Sequence, residues 1–588
     1  MGPSLQAWTR ALKHTASIGR DQTLTKLIGD LAPRFGTAPA LQDEENHLSY
    51  AALAARSNRY ARWALREGVS AGDVIGLLMP NCPDYVAIWL GLTRVGAVVS
   101  LLNTQLTGPS LAHAIKTAAP RHLIVAGELV PALHELRSDL PAALQCWIHG
   151  AEIDDAPRID IAIQTGAGDP LSLDECPMPS LRDRALLIYT SGTTGLPKAA
   201  HVSHRRLLQW SLWFGGMMNT GPEDRMYNCL PMYHSVGGVV AIGAMLVNGG
   251  SVVIRRRFSL RRFWDDIIDS DCTLFQYIGE LCRYLTTSPA HPRERDHHLR
   301  LCCGNGLRED VWERFKERFA IPRILEFYAA TEANFSLYNC EGKAGAIGRI
   351  PPFLAHRLRI TLVKTDPVSG EPVRREDGLC IPCAPDEPGE ALSEIQDERS
   401  NPGSRFEGYT DSSATERKIL RDVLAREDAW YRSGDLMRRD RAGYFYFVDR
   451  LGATFRWKGE NVSTAEVIAA LSDCPGVIDA IVYGVQIPGA DGRAGMAAIV
   501  AGADFDLGQL CSRLAERLPE YARPLFVRIL AHIETTGTFK PKVHEYAETG
   551  FDPEATDDPI FVFDREREAF VRLDAGGFGR IRAGEKRW

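Results

Sequence analysis

The 588-residue chain lacks an uninterrupted apolar run long enough to cross a bilayer. Its most apolar tract, Tyr85 to Leu102, is broken by Arg94, and a spanning helix needs about 20 predominantly apolar residues. That tract reads as a buried helix followed by a strand. Met1 to Gly29 is polar and has no compact apolar core of a secretory signal. Gln6 stands where an N-myristoylation motif requires Ser or Thr. Positive charge is also short: the formal net charge is -7, so no overall basic field attracts nucleic acid. The 13 cysteines are irregularly spaced. Cys380 and Cys383 form a lone CxxC with no second pair to complete a four-ligand zinc site. Reduced thiols and a cytoplasmic location are expected. No short repeat or low-complexity tract occurs.

What is present is alternation. Strand-like runs at Asp73 to Met79, His122 to Gly127, Ala185 to Thr190, Ser251 to Ile254, Thr273 to Ile278 and Arg323 to Tyr328 are separated by helical stretches such as Arg308 to Phe319. Continuous apolar strands alternating with helices indicate parallel sheets covered on both faces. Their number exceeds one sheet, so two α/β layers are expected. Leu24, Leu27, Ile28 and Leu31 share one face of a short helix that Pro33 should end; core packing is the preferred use of that face, with membrane contact as the alternative. From about residue 344 to 447, glycine, proline and short strand-like pieces predict a small β-rich subdomain. A helix from Ser463 and a strand from Asp479 open a further α+β unit. The expected division is 1–448 as a large N-terminal domain, 449–452 as a hinge, and 453–588 as a small mobile domain. Gly452 can absorb large backbone changes.

The stretch "YTSGTTGLPKAAHVSH", Tyr189 to His204, suits a polyphosphate. Thr190, Ser191, Thr193 and Thr194 offer hydroxyls, Gly192 and Gly195 admit close backbone approach, and Lys198 adds charge. A Ser/Thr/Gly-rich surface turn has the same composition. It is not a Walker A loop: the glycine spacing differs, and Ala199 replaces the magnesium-binding hydroxyl after the lysine.

The order of residues in this loop resembles the phosphate loop of the adenylate-forming superfamily, which contains acyl-CoA synthetases, amino-acid adenylation domains and luciferases. Further motifs follow in that superfamily's order. "YAATE", Tyr328 to Glu332, resembles its nucleotide-binding turn; the resemblance implies that Tyr328 stacks on adenine beside Ala330, Thr331 touches the α-phosphate and Glu332 binds Mg²⁺. A carboxylate is an appropriate hard ligand for that ion. "YRSGDL", Tyr431 to Leu436, resembles the ribose-binding segment, with Asp435 as acceptor. "VDRLG" resembles the hinge, with Asp449, Arg450 near the ribose and Gly452 at the pivot, where relatives usually carry Asp or Lys. "TTGTFKPK" resembles the loop carrying the adenylation lysine; Lys540 matches best and Lys542 is the second candidate, because Phe539 replaces a common glycine.

Narrower stretches resemble the fatty acid transport protein family, also called very-long-chain acyl-CoA synthetases. They include "YIGELCRYL", "CGNGLREDVWERF" with Gly304, Asn305 and Gly306 as nucleotide-site residues, "RFEGY", "GLCIPC" and "DRLGATFRWKGENVSTAEV". Ala333 departs from the glycine common after Thr-Glu. The resemblance implies an ATP-dependent ligase for a long- or very-long-chain fatty acid that forms acyl-AMP and pyrophosphate and then passes the acyl group to CoA. It implies Lys540, Glu332, Lys198 and His234 as catalytic residues, His234 lying near the entrance of an acyl tunnel that involves Tyr233, Val236, Ile278 and Gly304. Lys458, Gly459 and Glu460 are implied in CoA binding. Peripheral contact with the inner face of a membrane is compatible with this reading. Competing readings are a fatty-acid carrier without ligase activity, an acyl-AMP ligase serving another acceptor, and a ligase for bile-acid-like carboxylates.

Overall fold

The computed structural model describes the chain except residues 1, 20, 154–155, 192–195, 334, 367–368, 397–404, 452–454, 458–459, 489, 491, 537–539 and 586–588. The chain forms two compact units, residues 1–359 with 394–420, and residues 360–393 with 421–588.

The first unit contains the two expected α/β layers. One sheet has six strands in the order Gln145–His149, His122–Ala126, Val74–Leu78, Val98–Leu101, Arg184–Ser191, Pro197–Ser203. All neighbours are parallel except the last pair. The second has eight strands, with a parallel centre and an antiparallel pair at each edge. Inner strands such as His122–Ala126 and Val98–Leu101 are buried at every position, as parallel sheets covered on both faces require.

Arg94, which interrupts the apolar tract, ends the buried helix Pro83–Arg94. Its guanidinium donates to the carbonyls of Leu171 (3.2 Å) and Cys176 (3.1 Å), so the charge is buried with hydrogen-bond acceptors. The helix expected to stop at Pro33 instead runs Leu24–Phe35, with Pro33 inside its last turn. A proline there removes one intrahelical donor near the end; Gly36, at φ +46°, closes the helix. Leu24, Ile28 and Ala32 are buried, and Leu24 and Ile28 join the main core.

In the second unit, the antiparallel pairs Ile360–Val363 with Gly389–Glu394 and Ala429–Arg439 with Tyr444–Arg450 form the β-rich part. The remainder is a five-stranded sheet beginning Val477–Val485 and Ala494–Ala501, packed with helices Thr464–Ser472 and Leu507–Arg517. All 13 cysteines are unpaired thiols. Cys380 is buried, and burial pushes the neighbouring Cys383 thiol up to about 11.

Asp449 is 5% exposed. Its carboxylate accepts from the Thr464 backbone N–H (2.9 Å) and hydroxyl (3.0 Å) and from the Arg450 N–H (2.8 Å), tying strand Tyr444–Arg450 to the start of helix Thr464–Ser472. Asp449→Ala should destabilise the protein by about 1–3 kcal/mol, the cost of stranding buried donors. Asp449→Asn, which keeps an acceptor, should lose less. Urea unfolding checks this; equal stability of wild type and the alanine variant would contradict it.

Candidate active site

Within the first unit, the hydroxyl-rich stretch begins at the end of strand Arg184–Ser191. Thr190 pairs with Lys198 and Ser191 with Pro197 across the antiparallel hairpin. Lys198 is half-buried. Residues 192–195, which include Gly192, Thr193, Thr194 and Gly195, lie outside the described residues, as does the side chain of Ser191.

The outer strand of this hairpin receives a second segment. His201 N–H donates to Gly408 O (3.0 Å) and Thr410 N–H to Ala199 O (2.9 Å), which seats the Tyr409 ring against Ala200. The Tyr409 hydroxyl then donates to Glu332 Oε1 at 2.6 Å. Thr190 hydrogen-bonds to the same phenol. Glu332 is 6% exposed. Burial and the facing Glu332 carboxylate push the Tyr409 phenol up, so it stays a donor. One residue of the loop, one of the "YAATE" turn and one of "RFEGY" thus meet.

Arg206 fixes this turn from behind. It is 4% exposed and donates to Thr331 O (3.1 Å) and Arg405 O (2.6 Å), with Glu407 at 3.5 Å. Glu407 accepts from Ser203 N–H (2.7 Å) and Oγ (2.6 Å) at the start of helix His204–Met218. Ser235 Oγ lies 3.3 Å from Thr331 Oγ1, which brings the segment after His234 to the same turn. The His234 ring packs on Tyr233, centroids 4.7 Å apart. Tyr328 and Ala330 are half-buried, with the Tyr328 ring edge-on to Phe335.

The "CGNG" segment ends strand Leu301–Asn305 beside strand Leu274–Ile278. A Cβ on Gly304 would come within 2.2 Å of Tyr277 O, so this position accepts only glycine. Gly306 has φ +79°. Behind them Glu326 is 1% exposed, accepting from Leu307 N–H (3.1 Å) and hydrogen-bonded to the Tyr277 hydroxyl. Desolvation raises its pKa to about 8. Asn305 Oδ1 is buried without a partner among the described residues, an acceptor available to a nucleobase amine.

In the second unit, Asp435 faces Arg450 across adjacent strands, Nε to Oδ1 3.4 Å. Asp435 follows a turn at Gly434, φ +75°, which Glu390 holds by accepting from Gly434 N–H (3.3 Å) and from Arg432 (2.9 Å). Lys540 is exposed as a residue, yet protein crowds its ammonium end. That desolvation, with repulsion from Arg450, pushes its pKa down to about 8, and Asp435 opposes the shift. Lys542 instead pairs with Glu534 (3.2 Å) and Glu545 (3.3 Å). Glu460 begins a short strand; Gly452, Lys458 and Gly459 lie outside the described residues.

Sequence reasoning assigned no role to Tyr409, Arg206, Glu407 or Glu326. "RFEGY" was the one available signal for Tyr409 and Glu407. Nothing local marks Arg206, whose partners lie 125 and 199 residues away.

The model of the AMP-binding enzyme family matches residues 30–390, and that of the AMP-binding enzyme C-terminal domain matches 466–540. Long-chain fatty acid transport protein 1 of Mus musculus is 41% identical over 543 residues, covering 91% of this chain and 83% of its own length. The medium/long-chain-fatty-acid–CoA ligase FadD6 of Mycobacterium tuberculosis is 38% identical over 547 residues, covering 92% of this chain and 88% of its own. Among solved structures, an anthranilate CoA ligase in complex with anthranoyl-AMP superposes with a TM-score of 0.77 at 19% identity, covering 91% and 99% of the two chains. A Mycobacterium tuberculosis fatty acyl CoA synthetase gives 0.62 at 21%, covering 90% and 98%. At those identities the likeness is one of fold.

Tyr409→Phe removes a donor from a buried carboxylate and should lower unfolding free energy by about 1–3 kcal/mol. An unfolding curve in urea that coincides with wild type would contradict the Tyr409–Glu332 bond.

Proposed function

This chain belongs to the AMP-binding enzyme family and to the fatty acid transport protein branch within it, and from that premise we propose that it is an AMP-forming ligase joining long-chain fatty acids to CoA. The observation that carries the reading is the meeting of Thr190, Tyr409 and Glu332, three motifs scattered over the sequence, at one buried point. A carrier that only binds lipid has no need of it.

In the first half-reaction a fatty carboxylate oxygen attacks the α-phosphorus of ATP. The bond from that phosphorus to the bridging oxygen breaks, and pyrophosphate leaves. Two anions must approach, so positive charge and positioning are the main requirements. We assign Lys540 to the carboxylate and α-phosphate, and Lys198 with the hydroxyls of Thr190, Ser191, Thr193 and Thr194 to the leaving pyrophosphate. Thr331 contacts the α-phosphate. Tyr328, Ala330 and Gly304 to Gly306 receive the adenine, and Asp435 and Arg450 the ribose. Glu332 fits Mg²⁺: it is a single rigid carboxylate, and no cluster of three His, Cys, Asp or Glu exists among the described residues, which suits an ion completed by substrate phosphates. When bound, the ion neutralises phosphate charge.

In the second half-reaction the CoA thiolate attacks the acyl carbonyl. The C–O bond to AMP breaks and AMP leaves. Lys458, Gly459 and Glu460 are assigned to the CoA path. A rotation near 449–452 is the proposed means of exchanging them with Lys540. Asp449 bonds to Thr464 across that segment, so such a rotation has to break this contact. The Tyr233–Val236 and Ile278 segments are the proposed tunnel wall. Among the described residues no helix is long and apolar enough to cross a membrane; membrane contact, if used, is proposed as peripheral.

Fatty acids of increasing length, supplied with ATP and CoA, should yield acyl-CoA and AMP in equal amounts. Binding without AMP release would favour the carrier reading. Lys540→Ala should cripple acyl-AMP formation yet largely spare thioester formation from supplied acyl-AMP; equal loss of both would refute its role. Lys540 must be protonated to act. With its pKa near 8, kcat/KM for adenylation should fall as pH rises through about 8. Lys540→Arg stays charged and should remove that limb even if slower; persistence of the limb would assign it elsewhere.

A further inference from the structure

A cavity of about 460 Å³ opens in the first unit, lined by the start of helix His204–Met218 and by the ends of strands Val98–Leu101, Arg184–Ser191 and Pro197–Ser203. Five guanidinium groups line it, those of Arg182, Arg184, Arg205, Arg206 and Arg405. Among the described residues that line it, the two carboxylates are already engaged: Glu407 with Ser203 and Arg206, and Asp183 with the Ser180 N–H at 2.7 Å. Among the described residues no carboxylate pairs with Arg184, Arg205 or Arg405. Arg205 Nε is buried without a hydrogen-bond partner. Arg184 and Arg405 both act on His201, which burial and these two cations keep neutral. Like charges gathered in a concave site repel one another and focus a positive field, and guanidinium pairs match phosphate oxygens in geometry and charge.

The lining also includes small and apolar residues: Ala71, Gly72, Gly96 and Val98. The cavity exceeds what an inorganic anion fills and lies in the range of small-molecule sites, roughly 300–1,000 Å³. We propose that this cavity is a second anion-binding site, distinct from the substrate sites assigned above, that takes a phosphate-bearing small molecule. The phosphate lies against Arg184, Arg205 and Arg405, and a flat organic part, where present, against the small and apolar residues. Arg206 lines this cavity and donates to the Thr331 carbonyl, which joins the site to the turn bearing Glu332.

The test is calorimetry on the full chain, its catalytic site first filled with a hydrolysis-resistant acyl-sulfamoyl-adenosine. The probes are pyrophosphate and adenosine 3′,5′-bisphosphate. Wild type should bind one equivalent of at least one probe, and Arg184→Gln/Arg405→Gln should weaken that binding by about tenfold or more, the value of losing a charge-assisted contact. Uptake of both probes locates recognition in the phosphate alone; uptake of the bisphosphate only requires the organic part. Both support the site. The double variant should bind the adenylate analogue as wild type does, which keeps failure here separate from failure of the ligase reading. Neither position is buried, so folding should survive; rising salt, which screens such binding, gives the same readout without mutation. No uptake by wild type, affinity unchanged in the variant, or a matching rise in the KM for CoA would overturn the proposal.

Discussion

A carboxylate withdrawn from water must be met by donors, or it takes up a proton. Glu332 is withdrawn almost completely, and Tyr409 is placed to meet it. That placement comes from backbone pairing: residues 408–410 hydrogen-bond along the edge strand that also carries the hydroxyl loop. The same strand therefore sets the position of Thr190 and, through Tyr409, the orientation of Glu332. Arg206 closes the arrangement by binding the Thr331 carbonyl and the 405–407 segment together. The Glu332 carboxylate and the hydroxyl-rich hairpin, from distant parts of the sequence, are held in register by one edge of one sheet.

The second unit handles charge differently. Asp435 is set by a tight turn and by buried Glu390, and it faces Arg450. Lys540 sits within electrostatic reach of both, and desolvation and Arg450 weaken its hold on the proton. A lysine whose charge is marginal suits a group that must neutralise two anions in one step and be absent in the next. Lys542, tied to two glutamates, lacks that character, which favours Lys540 of the two lysines in the motif.

Much of the architecture was legible because its signal is local. Buried parallel strands are continuous apolar runs, so His122–Ala126 and Ser251–Ile254 stand out by composition alone. Pro33 misled, because a proline removes only its own bond to the carbonyl four residues back, and this helix bears that loss and ends two residues later. The site divided along the same line. Residues inside contiguous motifs, such as Thr190, Thr331 and Glu332, could be named from the sequence. Residues that matter through long-range contact could not: Arg206 is one arginine among many until its partners are seen, and Glu326 reads as an ordinary strand-embedded glutamate until burial and Tyr277 surround it. Tyr409 lay between these cases, inside the "RFEGY" stretch but with a partner, Glu332, that only the strand pairing reveals.

The central claim is that a fatty carboxylate and ATP react reversibly to acyl-AMP before CoA is needed. Exchange of radiolabelled pyrophosphate into ATP, measured without CoA, tests it most directly. Exchange should depend on an added long-chain fatty acid and be lost on substituting Glu332. No exchange with fatty acids of any length would contradict it.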